Sequence, residues 1–131
     1  GQYIPKFKEE FGNDFSFHGV VSGEKKIELL KKCDIFLLPS FFEGLPMSLL
    51  ETMSFGQVPV ITPVGSIPTV VTDNENGIFV RVKNTEDIVN AITRLSNDKK
   101  LYSILSQKGR ETVMNKFDDA KYIEQLNNLY K

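Results

Sequence analysis

Residues 35–62 have the sequence IFLLPSFFEGLPMSLLETMSFGQVPVIT, in which two apolar runs flank a helical pattern. The first run, IFLLP, is apolar throughout and stops at Pro39, as is typical of a strand buried on both faces of a parallel sheet. The segment MSLLETMSFG predicts a helix that ends at Gly56. The run VPVIT at 58–62 predicts the next strand. A strand, a helix and a strand in this order indicate a right-handed βαβ unit.

The same alternation extends outward on both sides of this unit. The elements predicted upstream are a short helix at 3–11, a strand at 15–20 (FSFHGV) and a helix at 22–34 with Ser22 as its N-cap. Those predicted downstream are a short helix that begins at Ile67 or Pro68, a turn at 73–77, a strand at 77–82 (GIFVRV), a helix at 84–95, a long helix at 99–117 with Gly109 as its weak point, and a helical face at 119–131.

Strands separated by helices of about ten residues predict an α/β fold, a Rossmann-like open parallel sheet with helices on both faces. In such sheets, ligands bind outside the carboxyl ends of the strands. The segments that follow the predicted strands, at 19–22, 40–47 and 62–67, are therefore the candidate binding loops.

Composition excludes several classes of function. The 131 residues suffice for one domain with a single core, and 16 basic against 17 acidic residues do not favour a nucleic-acid partner. The lone Cys33 excludes an internal disulfide and suits a reducing compartment. No Cys, His and Asp residues have metal-ligand spacing, so we expect no metal. His18, the single histidine, is expected to be structural.

Two carboxylates surround the start of the helix that follows the first buried strand. Glu43 precedes this helix, and Glu51 comes eight positions later, about one turn inside it. Pro46 suits a first-turn position, and the amides of Met47 and Ser48 would point toward the ligand edge as an anion site. Gly44 removes a side chain where backbone must approach a ligand closely.

This layout matches a nucleotide-sugar. An ionised carboxylate only accepts hydrogen bonds, so a vicinal diol with two donors is a natural partner. An acid, phosphate-binding amides and a second acid would then contact sugar, diphosphate and ribose in turn. The alternative is structural: Glu43 would interact with the helix dipole, and Glu51 would pair with a lysine on a neighbouring helix. Spacing alone leaves both interpretations open.

The ordered series PSFFEGLPMSLLETMSFGQVPVIT, VGSIPTVV and NENGIFV resembles the donor-binding half of the retaining GT-B glycosyltransferases of family 4, in glycosyl transferases group 1. The resemblance runs from FSFHGVVS to RETVMNKF and includes the E-x7-E signature as Glu43 and Glu51. It implies that Glu43 is the catalytic residue, in contact with the transferred sugar at its anomeric end, and that Glu51 binds the ribose. Carried over in the same way, the remaining donor-binding positions are Val20 and Val21 at the base and Gly44, Leu45, Pro46, Met47 and Ser48 at the sugar and diphosphate.

The resemblance also implies what this chain lacks. The family holds the diphosphate with an Arg and a Lys from an upstream strand and loop, and no residue here occupies those positions; Lys25 and Lys26 lie on a different helix. We therefore expect residues 1–131 to be a single donor-binding domain, truncated at its N-terminal edge and without the acceptor-binding domain. The fragment alone is expected to be inactive.

The function implied is transfer of a sugar from a nucleotide-diphosphate sugar to an acceptor hydroxyl with retention, without a metal cofactor, in polysaccharide or glycolipid synthesis. The expected partners are the donor, the missing N-terminal domain and a saccharide or lipid-linked acceptor. The expected location is the cytoplasm, with peripheral contact to the inner face of the membrane as an option. The alternatives are a non-catalytic Rossmann or flavodoxin-like interaction domain and another GT-B activity such as a nucleotide-sugar epimerase.

Overall fold

The computed structural model describes residues 3–117. Its helices and strands, in chain order, are α1 (Ile4–Phe11), α2 (Gly23–Lys32), β1 (Ile35–Leu38), α3 (Met47–Ser54), β2 (Val58–Ile61), β3 (Ile78–Phe79), α4 (Thr85–Asn97) and α5 (Lys99–Phe117), with short 3-10 turns at Gly12–Asp14 and Ile67–Thr69. The face predicted at 119–131 lies outside the described residues.

The three strands form a parallel sheet in the order β1-β2-β3, which confirms the predicted α/β class. Apolar residues of β2 alternate between the two faces of the sheet. Ile61 packs in a first cluster with Leu49 and Met53 of α3. Val58 and Val60 pack in a second cluster with residues of α4 and α5, so helices cover both faces. All four residues of β2 are buried.

The predicted strand at 15–20 is wrong, because no ladder forms there. A strand needs a neighbour that accepts and donates main-chain hydrogen bonds. Within residues 3–117, β1 pairs with β2 alone, so 15–20 has no partner strand. For the same reason, β1 is less buried than its apolar sequence predicts: Leu37 is 43% exposed.

Three further predictions differ in detail. Ser22 does occupy the N-cap of α2, but its side chain makes no capping hydrogen bond. The strand predicted at 77–82 is only two residues long, at Ile78–Phe79. Gly109 does not weaken α5 visibly: it is buried inside the continuous helix, where an added Cβ would lie 3.3 Å from the Asn76 carbonyl oxygen. The glycine thus allows α5 to approach the turn before β3 closely.

No helix in the described part of the chain is both long enough and apolar enough to span a membrane.

Candidate functional site

The loops that follow β1 and β2 are joined by hydrogen bonds at the carboxyl edge of the sheet. The register of the two strands aligns Leu38 with Ile61, so both loops begin at the same level. The Thr62 hydroxyl donates to the Ser40 carbonyl oxygen at 2.6 Å, and the Ser66 amide donates to the Gly44 carbonyl oxygen at 3.2 Å. The loop that carries Glu43 is therefore held in place by hydrogen bonds from the loop after β2.

Gly65 is required for this close approach. Its φ is +59°, and an added Cβ would overlap the Glu43 carbonyl oxygen and lie 2.9 Å from the Gly44 carbonyl oxygen. Both the backbone conformation and the lack of space therefore favour glycine. Gly44 differs, because an added Cβ there would meet nothing within 4 Å and its φ is not positive. The fold itself leaves space for a side chain at Gly44.

The Glu43 carboxylate is half-buried and held by its own loop. The Ser40 hydroxyl donates to Glu43 Oε1 at 2.6 Å. This short bond fixes the direction of the carboxylate at the ligand edge. Because Thr62 in turn holds the Ser40 carbonyl, the orientation of Glu43 depends on both loops.

Helix α3 begins one residue later than Pro46. The proline is the N-cap, in extended backbone, and its own side chain makes no capping hydrogen bond. The side chains of Leu45 and Met47 pack against the first cluster, so the polar groups that these two residues offer a ligand are those of the main chain. Ser48 is exposed. The positive end of the α3 dipole thus lies on the ligand edge, between the two acids.

Glu51 lies one turn into α3 and forms an ion pair. Lys26 of α2 donates from Nζ to Glu51 Oε1 at 2.8 Å, and the two side chains are only 20% and 15% exposed. The pairing with a lysine that the structural alternative predicts is therefore present. It brings α2 next to α3, and α2 begins directly after the predicted base-binding residues.

The two predicted base-binding residues differ in exposure. Val20 is fully exposed, whereas Val21 is half-buried. His18 is exposed in the segment at 15–19, which has no regular secondary structure. It is not brought to either acid by a hydrogen bond in the described part of the chain.

Sequence reasoning missed several residues that hold the site together. Thr62 and Lys26 contact partners that lie 22 and 25 residues away, which no spacing rule signals, and Ser40 contacts Glu43 within one loop. Lys83 is another, since its Nζ lies 5.3 Å from the centre of the ring of Phe41, two residues before Glu43. Gly65 and Ser66 lie within the segment at 62–67, which the sequence predicted as a binding loop.

The edge of β3 carries a separate ion pair. The Asp87 carboxylate of α4 accepts from the Arg81 amide at 3.0 Å and from its guanidinium at 2.8 and 2.9 Å. Hydrogen bonding from Arg81 lowers the pKa of Asp87 from 3.8 to about 2. The Asn84 side chain accepts from the Asp87 amide at 2.9 Å and caps α4.

The described part of the chain has no group that could bind a metal, and its groove lies outside this site. Within residues 3–117, no three His, Cys, Asp or Glu side chains form a group that could hold a metal ion. A groove of about 590 Å³ is lined by Gly56, Tyr102, Ser106 and neighbouring residues of α5. Gly56 lies before β2, so the groove is at the amino end of the sheet, opposite to the two acids.

Comparison with known proteins identifies a family to which the sequence is similar. The family model described as glycosyl transferases group 1 matches residues 7–112. The UDP-Gal:alpha-D-GlcNAc-diphosphoundecaprenol alpha-1,3-galactosyltransferase of Escherichia coli is 29% identical over 102 residues. That match covers 78% of this chain and 26% of the relative, so the chain spans about a quarter of that protein's length.

Solved structures agree with the fold. The sucrose-phosphate synthase of Thermosynechococcus elongatus has a TM-score of 0.82 at 24% identity, over 98% of this chain and 33% of that one. The C-terminal domain of a glycosyl transferase group 1 family protein from Francisella tularensis has a TM-score of 0.77 at 26% identity, over 90% of this chain and 62% of that one.

Proposed function

The chain belongs to the glycosyl transferases group 1 family, and from this premise we propose that it is the donor-binding part of a glycosyltransferase. The whole protein would move a sugar from a nucleotide-diphosphate sugar to an acceptor hydroxyl. The observation that carries the proposal is the arrangement around α3. Glu43 and Glu51 lie on either side of the start of α3, which follows a strand of the parallel sheet.

Each part of this arrangement has a role in the proposal. Glu43, oriented by Ser40, accepts a hydrogen bond from a hydroxyl of the transferred sugar. The amides at the start of α3 and the helix dipole stabilise the diphosphate, and with it the negative charge that develops on the leaving group. Glu51 accepts hydrogen bonds from the ribose hydroxyls. Gly44 leaves room for the donor next to the backbone.

The remaining assignments extend the proposal to the whole protein. We assign the base to the backbone around Val20 and Val21, and no metal to the reaction. Retention at the anomeric carbon follows the resemblance to the retaining GT-B enzymes. A role in polysaccharide or glycolipid synthesis, with a saccharide or lipid-linked acceptor, is supported by the diphosphoundecaprenol acceptor in the relative's name. The cytoplasm, next to the inner face of the membrane, is the location proposed for such an acceptor.

Calorimetric titration tests the donor assignment. UDP-, GDP- and ADP-sugars are titrated into the 131-residue chain and into Glu51→Ala. We expect one nucleotide class to bind the parent and the variant to bind about ten- to a hundredfold more weakly, because a hydrogen bond to a charged group contributes about 1.5–3 kcal/mol. Glu28→Ala, an exposed acid of α2, is the matched control and should bind like the parent.

Two outcomes would contradict the proposal. One is a folded parent chain, by circular dichroism, that binds none of the three nucleotide-sugars. The other is a Glu51→Ala variant whose affinity equals that of the parent.

A further inference from the structure

Lys26 is placed where it orients the carboxylate of Glu51. Its Nζ lies 2.8 Å from Glu51 Oε1, and both side chains are largely shielded from solvent. A shielded carboxylate and ammonium each lose hydration, so such a pair is a weak argument for stability on its own. The geometric effect is clearer: the ammonium holds the carboxylate in one direction.

Helix α2 has a second attachment that does not involve this pair. The Gln57 side chain, which is buried just before β2, donates from Nε2 to the Leu30 carbonyl oxygen at 2.9 Å. Leu29 and Leu30 are also half-buried. The C-terminal turn of α2 is therefore fixed by contacts other than Lys26, and the lysine can be changed with that attachment left in place.

The ion pair leaves Glu51 able to bind a ligand. Each carboxylate oxygen has two lone pairs, and the ammonium uses one of the four sites. The other sites can accept from two adjacent hydroxyls. A carboxylate already held in one rotamer also loses less side-chain entropy when the ligand binds.

We propose that Lys26 is a positioning residue of the ribose subsite. It holds the ionised Glu51 in the direction in which the carboxylate accepts hydrogen bonds from the two ribose hydroxyls of a nucleoside diphosphate. Helix α2 thereby forms a wall of the donor site, although Lys26 does not replace the basic residues that contact the diphosphate in the family. This inference rests on the proposed function, and it deepens the assignment of Glu51.

The test compares a ribonucleotide with its 2′-deoxy analogue. Among UDP, GDP and ADP, the nucleotide that the parent chain binds most tightly is titrated together with its 2′-deoxy form. In Lys26→Met, which keeps a chain of similar length without the charge, we expect the affinity for the ribonucleotide to fall about tenfold. The affinity for the deoxy form should fall much less, so the ratio of the two dissociation constants shrinks.

Two further variants separate positioning from a general loss of structure. Lys26→Arg keeps a cation within reach of Glu51 and should restore most of the parent's ratio. Lys25→Met changes the exposed neighbouring lysine of α2 and should leave both affinities unchanged. If Lys26→Met does not fold, Lys26→Gln takes its place in the same comparison.

The outcomes distinguish the two proposals. A parent chain that binds none of the nucleotides contradicts the proposed function itself. A parent chain that binds, with a ratio that stays the same in Lys26→Met or Lys26→Gln, overturns the positioning role of Lys26 and leaves the donor assignment intact.

Discussion

Two glycines at the ligand edge have different reasons to be glycine. Gly65 combines a positive φ with contact to the backbone of Glu43 and Gly44, whereas Gly44 faces open space. Gly65→Ala should therefore lower the free energy of unfolding by more than about 1–2 kcal/mol, because a left-handed alanine is strained and its Cβ displaces the Glu43 loop. Chemical denaturation measures this loss.

Gly44→Ala is the matched variant for this experiment. It should leave the unfolding free energy within about 0.5 kcal/mol of the parent's value, as is usual for surface changes. Its nucleotide-sugar affinity should fall, because the new methyl group occupies space that the donor needs. Equal stability of the two variants would contradict the reason given for Gly65.

At the residue scale, the sequence could predict the acids of the site and a lysine partner for Glu51, but neither which lysine it is nor the Ser40 partner of Glu43. Glu43 and Glu51 follow from an apolar strand, a helix start and a fixed spacing, all of which are local patterns. The hydrogen bond from Ser40 to Glu43 lies within one loop and depends on its side-chain directions, whereas the ion pair from Lys26 to Glu51 depends on the position of α2. A linear pattern specifies neither geometry.

At the scale of elements, the start of α4 should respond to acid. The pKa of Asp87 is about 2 in the folded chain and 3.8 as an ordinary value, so ionised Asp87 favours the folded state. Its contribution is complete above pH of about 4 and is lost as the pH falls toward 2. In Asp87→Asn, the unfolding free energy should therefore change less between pH 4 and pH 2 than it does in the parent.

The control for this helix is Glu86→Gln, an exposed acid in the same first turn. Its stability should depend on pH in that range as the parent's does. The same pH dependence in Asp87→Asn and in the parent would contradict the role of the Arg81 contact.

The predicted elements were correct where local pattern and tertiary contacts agree. The helix at 84–95 has apolar residues at helical spacing and an Asn at its N-cap, and α4 forms with that cap. The strand predicted at 15–20 had aromatic and β-branched residues but no partner strand, so β-propensity alone did not produce it. The extent of β3 also depended on its pairing with β2, because its ladder ends after Phe79.

At the scale of the whole molecule, the proposed division of labour predicts a separation of binding from transfer. The 131-residue chain should bind a nucleotide-sugar and transfer no sugar to an acceptor, because it spans only about a quarter of the galactosyltransferase to which it is similar. A radiolabelled donor supplied with a saccharide or lipid-linked acceptor measures this. The parent chain from the calorimetric titration, with binding established, is the positive control for a functional donor site.

Measurable sugar transfer by this chain would contradict the proposed separation of donor binding from transfer. The proposed reaction uses no metal. In a protein that contains this chain and transfers sugar, a chelator should therefore leave the transfer rate unchanged.

The hydrogen bond from Thr62 to Ser40 has a consequence for how the protein folds. The two residues lie 22 positions apart and follow different strands, so this bond joins the same two chain segments as the pairing of β1 with β2. The edge that carries Glu43 thus depends on a non-local contact, and such contacts form slowly compared with a helix. A nucleotide that binds only the assembled edge would favour the folded state by mass action, by about 2.7 kcal/mol at a concentration one hundred times its dissociation constant. The donor would then stabilise the folded protein as well as serve as its substrate.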